Sequence, residues 1–528
     1  MPRGKSDKVV FKPYDQSQQW LVPPSADELI PQNHLVRVVN QTIDEMNLEP
    51  ILRRYDRGGG ASRFHPLAMF KILVYGYMTR VYSSRMLAKA VRENVMFMWI
   101  AGNQKPDFRT INKFRSTKLK DVMEEVFMST VKLLSAKGYV KLENYFVDGT
   151  KIESAANKYT FVWKRAIETN DRKLDMKLKA FLKEIDRVSE EENVEYGERD
   201  LEEMGEQATF TADDVAILAQ TLNERIKALD EKPTAVAVKK KLKKDLKRVE
   251  KDFLPRKQKY ERQRAILGER NSYAKTDPDA TFMRMKEDAM QNGQLKPGYN
   301  VQIGTENGFV IGYDVYPNPT DTKTLKPHLE NMERRLGLLP RHVIADAGYG
   351  SQENYAFLEE KGIDAVIKYN TFHKEATRPW RTDPYRSENW PYDSEDDRYR
   401  CPQGRFLALT NLTQKETGAG YSQTLHTYTC TSCEGCAVKE KCTKAVGNKS
   451  LQRNPALIRL KEKAQGRLLS DDGKKLRKRR AVEVETVFGQ VKGNHGFRRF
   501  QLRGMRKVAV EWGLLMIGYN IKNTRLAG

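Results

Sequence analysis

Asp148 closes the apolar run Tyr145-Phe146-Val147 and is followed by Gly149. Asp346 closes Val343-Ile344-Ala345 and stands two residues before Gly348. Short apolar runs of this kind read as buried strands. Each carboxylate is therefore expected at a strand end, on a rigid support, where open α/β sheets build ligand sites. Two carboxylates from different strands suit a hard divalent cation held through oxygen ligands, Mg2+ or Mn2+. A third from a helix would complete a site for two ions, which activates an attacking oxygen and steadies a leaving one. Glu485, in RRAVEVETVFGQVKGNHGFRRF, is the candidate for that third position. Lys492 lies seven residues on, about two helical turns, so both side chains are expected on one face, with the lysine placed for a phosphate. Glu483 is the rival, but it falls on a different face and has no lysine seven residues after it. An isolated Asp-Gly pair is more often a turn. The argument rests on the set of three and on the elements that carry them.

Those elements follow a definite order. Residues 64 to 118 read as short helices. Pro66 can open one whose apolar residues recur at helical spacing. Ser83 or Ser84 can cap SRMLAKAVREN, and Asp107 can cap DFRTINKFRS. The last of these carries Arg109, Asn112, Lys113 and Arg115 and suits a helix-turn-helix-like DNA reader. A packing bundle with solvated charges fits equally well. NYFVDGTKI is the first strand. Residues 160 to about 270 are charged and helical in pattern, an inserted hairpin or coiled coil. Its basic stretch Lys239 to Lys247 reads first as a solvated face, with a DNA contact as the alternative. YNVQIGT and FVIGYDVY flank Glu306-Asn307-Gly308, a hairpin turn. Thr320 or Asp321 can cap a helix to about Arg335. HVIADAGYG is a strand, SQENYAFLEEKG a helix and DAVIKY a strand. Val508 to Ile521 reads as a buried helix, although it contains Glu511. Without the inserts this is a five-stranded mixed sheet with helices, an α/β architecture of ribonuclease H-like arrangement.

Four of the five cysteines crowd into Cys430 to Cys442 as C-x2-C-x2-C-x5-C, and Cys401 stands upstream in CPQG. Clustered cysteines without secretion signals favour a metal over disulfides. Cys401, Cys433, Cys436 and Cys442 form the expected structural zinc set, with Cys430 spare and His426 a substitute. Reduced thiols in a loop-rich insert are the alternative.

The 528 residues carry 93 Lys and Arg against 70 Asp and Glu, a formal charge of +23. A surface this basic suits a polyanion, because each cation placed on a phosphate releases counterions. Length points to several units. The N-terminus lacks an apolar signal core, and no run of about 18 apolar residues exists. A cytoplasmic protein without membrane contact is expected.

The blocks FVDGTKIESAANKYTFVW, VIADAGYGSQENY and VEVETVFGQVKGNHGFRRFQLRG resemble the signature blocks of bacterial insertion-sequence DDE transposases. The similar branch has a helical N-terminal module and a Cys-rich insert before the last acidic block. The resemblance runs from about Phe64 to Asn520. It implies that Asp148, Asp346 and Glu485 bind two Mg2+ or Mn2+ ions and that Lys492 is the associated lysine. Many relatives have an arginine four residues before the glutamate. Here Ala481 is there, and Arg480 is one position off.

The sequence is accordingly read as an α/β chain with a ribonuclease H-like catalytic domain on a mixed sheet. Residues 1–60 form an N-terminal extension, 61–140 a helical DNA-binding domain, and 141–159 the first part of the catalytic domain. Residues 160–275 are a helical insertion, 276–370 the continued catalytic domain, 371–450 a Cys-rich insertion and 451–528 the C-terminal catalytic helix region. The expected activity is metal-dependent DNA strand cleavage and strand transfer at the ends of an insertion sequence. A metal-dependent nuclease without strand transfer, and a catalytically inactive DNA-binding derivative, are the alternatives. DNA, both terminal inverted repeats and target, is the expected partner of a homodimer in a synaptic complex. Arg109, Asn112, Lys113, Arg115, Arg480, Arg498 and Arg499 are the expected DNA contacts.

Overall fold

The computed structural model describes residues 25–55, 64–191, 209–228, 236–285, 293–418 and 420–527. The glycine-rich stretch Arg57 to Ala61, whose composition suggests a boundary, lies outside them.

Thirteen strands occur among the described residues: β1 Asn144–Glu153, β2 Phe161–Trp163, β3 Ser272–Ala274, β4 Thr281–Arg284, β5 Leu295–Glu306, β6 Phe309–Tyr316, β7 His342–Ala345, β8 Asp364–Ile367, β9 Tyr392–Asp393, β10 Arg398–Arg400, β11 Phe406–Glu416, β12 Ser422–Cys430 and β13 Ser450–Arg453. The main sheet is mixed. Its order is β4-β5-β1-β7-β8, with β6 also paired to β5. β1 runs antiparallel to β5 and parallel to β7, and β7 is parallel to β8. The sheet thus has six strands, because β5 is long enough to pair with β4 at one end and β6 at the other.

The hairpin between β5 and β6 turns on Asn307 and Gly308, at φ 54 and 78. Both central positions of such a two-residue turn need positive φ, which Asn and Gly tolerate best. Glu306, 2% exposed, has a second task. Its carboxylate accepts the backbone N–H groups of Lys141, Leu142, Glu143 and Asn144. These are the residues that lead into β1, so the hairpin fixes where β1 begins.

The helices expected around Pro66, Ser84 and Asp107 form at Pro66–Met78, Ser84–Glu93 and Phe108–Lys113. Asp107 caps the third by accepting Thr110 N–H at 2.6 Å. This module shares its apolar core with the sheet and with the C-terminal helix Met505–Ala527. Within that helix Glu511 is fully buried. Its Oε1 accepts the Tyr77 hydroxyl at 2.5 Å, and its Oε2 accepts the N–H groups of Gln501 and Leu502 at 2.8 and 2.7 Å. Arg115 Nη1 stands 3.6 Å away. A charge in a core is tolerated when it is paired and hydrogen-bonded in this way.

The insertion after β2 is helical, as its charge pattern suggested: Lys164–Glu191, Ala212–Ala228, Val236–Arg248 and Leu254–Leu267. It buries a separate core built from residues such as Leu174, Leu178, Leu218, Leu222 and Phe253. Inside that core Lys257 pairs with Asp171 at 2.7 Å and with Asp175 at 2.5 Å. The Cys-rich insertion is not loop-rich. It folds as an antiparallel sheet in the order β13-β12-β11-β10-β9, around Trp390, Leu407, Tyr428, Cys430 and Cys433. Among the described residues no helix is long and apolar enough to cross a membrane.

Candidate active site

The register of the sheet brings the two aspartates together. β1 and β7 are parallel, with Phe146 opposite Ile344. Asp148 and Asp346 each lie two residues further on, so they come level, and a step of two along a strand keeps the same face. One expectation is corrected here. β1 does not end at Asp148 but continues to Glu153 against β5. What ends is its neighbour: β7 stops at Ala345. The opening beside Asp148 comes from that short partner strand.

Both carboxylates are held alike. Asp148 Oδ1 accepts its own successor's N–H, Gly149, at 2.8 Å. Asp346 Oδ1 accepts Gly348 N–H at 2.8 Å. Their Oδ2 atoms face one guanidinium: Arg480 Nη2 lies 3.1 Å from Asp148 Oδ2 and 3.6 Å from Asp346 Oδ2. Arg480 was expected on DNA. In this structure it is engaged by the acidic pair.

A third carboxylate belongs to this neighbourhood. Asp321 lies in a short turn before the helix Leu325–Leu336. Its Oδ1 accepts Asn300 Nδ2 at 2.8 Å and Gln302 Nε2 at 2.9 Å. Both amides come from β5 and are buried. The Tyr349 hydroxyl donates to Gln302 Oε1 at 2.5 Å, which orients that amide toward Asp321. A Cβ on Gly149 would stand 2.0 Å from Gln302 Nε2 and 2.8 Å from Asp321 Oδ1. The glycine after Asp148 is thus a point of close approach rather than a turn. Burial first, and then the charges of Asp321, Asp148 and Asp346, push the Tyr349 hydroxyl well above its ordinary range, so it stays a donor. In the sequence Asp321 looked like a helix cap. The alternation of buried polar residues Asn300 and Gln302 in an apolar strand was the available signal.

Glu485 is not assembled with the aspartates. Among the described residues no three His, Cys, Asp or Glu side chains converge as a ligating group. The reason is visible in the helix. Asp471–Arg480 passes into a wider π turn, Ala481–Glu485, then Thr486–Gly489, then a second π turn, Gln490–Asn494. Such turns carry an extra residue and are frequent at functional sites. Here they place Glu483 inward and Glu485 outward. Glu483 Oε2 accepts Gly308 N–H at 2.8 Å, and Oε1 pairs with Arg479 at 2.8 Å. The rival glutamate therefore holds the β5–β6 turn. Lys492, on the second π turn, is half-buried.

The other basic candidates divide. Arg109, Asn112 and Lys113 are exposed and, with Arg85, line an open groove of about 620 Å³ beside Gln501 and Leu502. Arg85 and Arg109 both sit over the Phe108 ring, at 5.3 and 5.7 Å. Arg115 borders the same groove at its buried edge. It is 2% exposed and donates to the Tyr77 hydroxyl at 2.8 Å and the Tyr82 carbonyl at 2.9 Å. That corrects the expectation of a DNA contact, because its helix turns Arg115 toward the core and Glu511. Arg498 is exposed. Arg499 donates to the carbonyls of Ser154 and Ala156 at 3.0 and 2.9 Å, so its fork ties the last block to the chain after β1.

All five cysteines are free thiols. Cys433 Sγ accepts Lys449 N–H at 3.2 Å, and Cys430 Sγ donates to the Ser432 carbonyl at 3.4 Å. Burial chiefly raises the Cys442 thiol, opposed by Lys449 and reinforced by Cys401, Cys433 and Cys436. The four expected zinc ligands thus share one neighbourhood, though not as a formed ligating group. Burial, and then Cys433, push Cys430 up to about 11.

Residues 400–525 match the family model described as Transposase DDE domain, and residues 24–117 match the one described as Transposase domain (DUF772). Both are models of transposase domains, and together they cover less than half of the 528 residues. The first includes Glu485, Lys492 and the cysteines, and the second includes Arg109 to Arg115. Asp148 and Asp346 lie between them. No curated protein matches the chain. No solved structure matches it.

Proposed function

We propose that this protein is a transposase that cuts DNA at the ends of its element and joins them to target DNA, on a ribonuclease H-like sheet, with Asp148, Asp346 and Glu485 as the acidic residues of the reaction. The observation that carries the reading is the parallel register of β1 and β7, which sets two carboxylates side by side with both Oδ2 atoms on one cation. Those two residues fit a hard divalent ion. When bound, Mg2+ or Mn2+ would activate the attacking oxygen and neutralise the charge that develops on the phosphate. Glu485 would complete the ligand set from its helix. Its exposed position leaves it available, whereas Glu483 is committed to Gly308 and Arg479. Reactions of this kind need positioning and charge neutralisation more than a protein nucleophile. Lys492 and Arg498 would meet phosphates beside the centre, and Arg109, Asn112 and Lys113 would hold the backbone of the terminal repeat. Two protomers would be needed to bring both ends together. Cys401, Cys433, Cys436 and Cys442 would hold a structural zinc that fixes the base of the β11–β12 hairpin.

The test is cleavage of a plasmid that carries the gene with its flanking DNA, with Mg2+ or Mn2+ and with Asp346→Asn as the paired control. Breaks at the borders of flanking inverted repeats, lost in the variant, with joined products in the wild type, support the reading. Cutting at random positions without joined products would replace it with a plain nuclease. DNA binding without any cutting would replace it with an inactive derivative.

A further inference from the structure

A structural arginine between carboxylates ordinarily uses its fork, with two nitrogens on two oxygens. Arg480 does not. One nitrogen, Nη2, serves Asp148 Oδ2 at 3.1 Å and Asp346 Oδ2 at 3.6 Å. Its Nε is buried with no acceptor. The guanidinium behaves as a point charge at the place where two fixed oxygens converge. Those oxygens are aimed there independently of Arg480, because Gly149 N–H and Gly348 N–H hold the other oxygen of each carboxylate.

The surrounding charge makes the arrangement exchangeable. Asp321 adds a third carboxylate beside Gly149 and Gly348. Arg480 also crowds cations. Burial first, and then Arg480 and Arg477, hold the Lys368 ammonium below its ordinary range, with Asp346 opposing them. Removal of Arg480 from the pair would relieve that repulsion. Arg480 stands at the junction with the π turn Ala481–Glu485, a kind of turn frequent at functional sites.

We propose that Arg480 is a resident counter-cation of the Asp148–Asp346 pair, which a divalent ion displaces when it binds there, so that Arg480 sets the affinity of the pair for metal. The inference rests on the reading of these aspartates as metal ligands. A ligand that binds only the state with Arg480 released has its apparent affinity lowered by the fraction of chains in that state. Arg480 is then a positioning residue that keeps the acidic pair together in the metal-free protein.

The experiment is a Mn2+ titration of the full chain without DNA, with free Mn2+ read by electron paramagnetic resonance. Arg480→Gln removes the charge and is expected to bind Mn2+ about tenfold more tightly than wild type. Arg480→Lys keeps a cation on a shorter, more hydrated head and is expected to fall between them. Asp346→Asn is expected to lose the binding. Unchanged or weaker binding in Arg480→Gln overturns the proposal, and if that variant does not fold, unchanged or weaker binding in Arg480→Lys does so. Wild-type binding that Asp346→Asn leaves intact would instead overturn the reading of the aspartates themselves, and this inference with it.

Discussion

Gly149→Ala is a sharp test of how the acidic centre is built. The substitution adds one methyl group to β1, at a position whose backbone any residue adopts. Conformational strain is therefore not the issue. The new Cβ would stand 2.0 Å from Gln302 Nε2 and 2.8 Å from Asp321 Oδ1, so Gln302 must move. That side chain is fully buried and donates to Asn300 Oδ1 at 2.9 Å and Asp321 Oδ1 at 2.9 Å, while it accepts from Tyr349. Overpacking of this kind costs ~1–3 kcal/mol, and a buried polar group left unpaired adds ~1–3 kcal/mol. A loss of about 3 kcal/mol is expected, measured by urea denaturation followed by far-ultraviolet circular dichroism. The same substitution in a Gln302→Ala background should cost under ~1 kcal/mol, because the clashing amide is gone. An equal cost in both backgrounds would refute the close-approach argument. So would a cost below ~0.5 kcal/mol in the wild-type background, which is the range of ordinary surface substitutions.

Glu483→Gln and Glu485→Gln should separate stability from activity. The first weakens the pair with Arg479 and the bond from Gly308 N–H, and is expected to lower stability by ~1–3 kcal/mol. The second should leave the denaturation midpoint in place and abolish cleavage of the end-bearing plasmid. Elemental analysis of protein purified without added metal is expected to give about one zinc per chain. Cys442→Ser should lose that zinc, and Cys430→Ser should keep it; the reverse pattern would exchange the two assignments. Burial, and then the nearby Lys522 and Arg80 charges, depress the His495 pKa below 6.5. A group whose folded pKa is lowered binds more protons when unfolded, so stability falls as pH drops through 6.5 toward the folded value. The loss of unfolding free energy between about pH 7.5 and about pH 5.5 should therefore shrink in His495→Gln.

The sequence by itself made legible many of the elements that position the candidate site. Apolar runs before Asp148 and Asp346, the Asn307-Gly308 turn, the helical charge pattern of the insertion and the buried helix around Val508–Ile521 are local signals. They survive folding because backbone preference and burial agree at each place. The sheet of the Cys-rich insertion was not legible, since its long strands β11 and β12 are largely polar and exposed and leave little alternation to read.

Tertiary structure alone decided the rest. Nothing local says that Phe146 pairs with Ile344, yet that register makes two distant aspartates neighbours. Arg115 and Arg109 sit six residues apart on similar sequence, and only packing against Glu511 separates a core residue from a surface one. Asp321 reads as a helix cap until Asn300, Gln302 and Tyr349 close around it. Glu483 and Glu485 differ by two positions and so fall on different faces, but which of them turns inward is decided only by the hairpin turn that the helix meets at Gly308. Contacts between residues far apart in the chain are set by the whole core. Charges therefore find their partners only once that core exists.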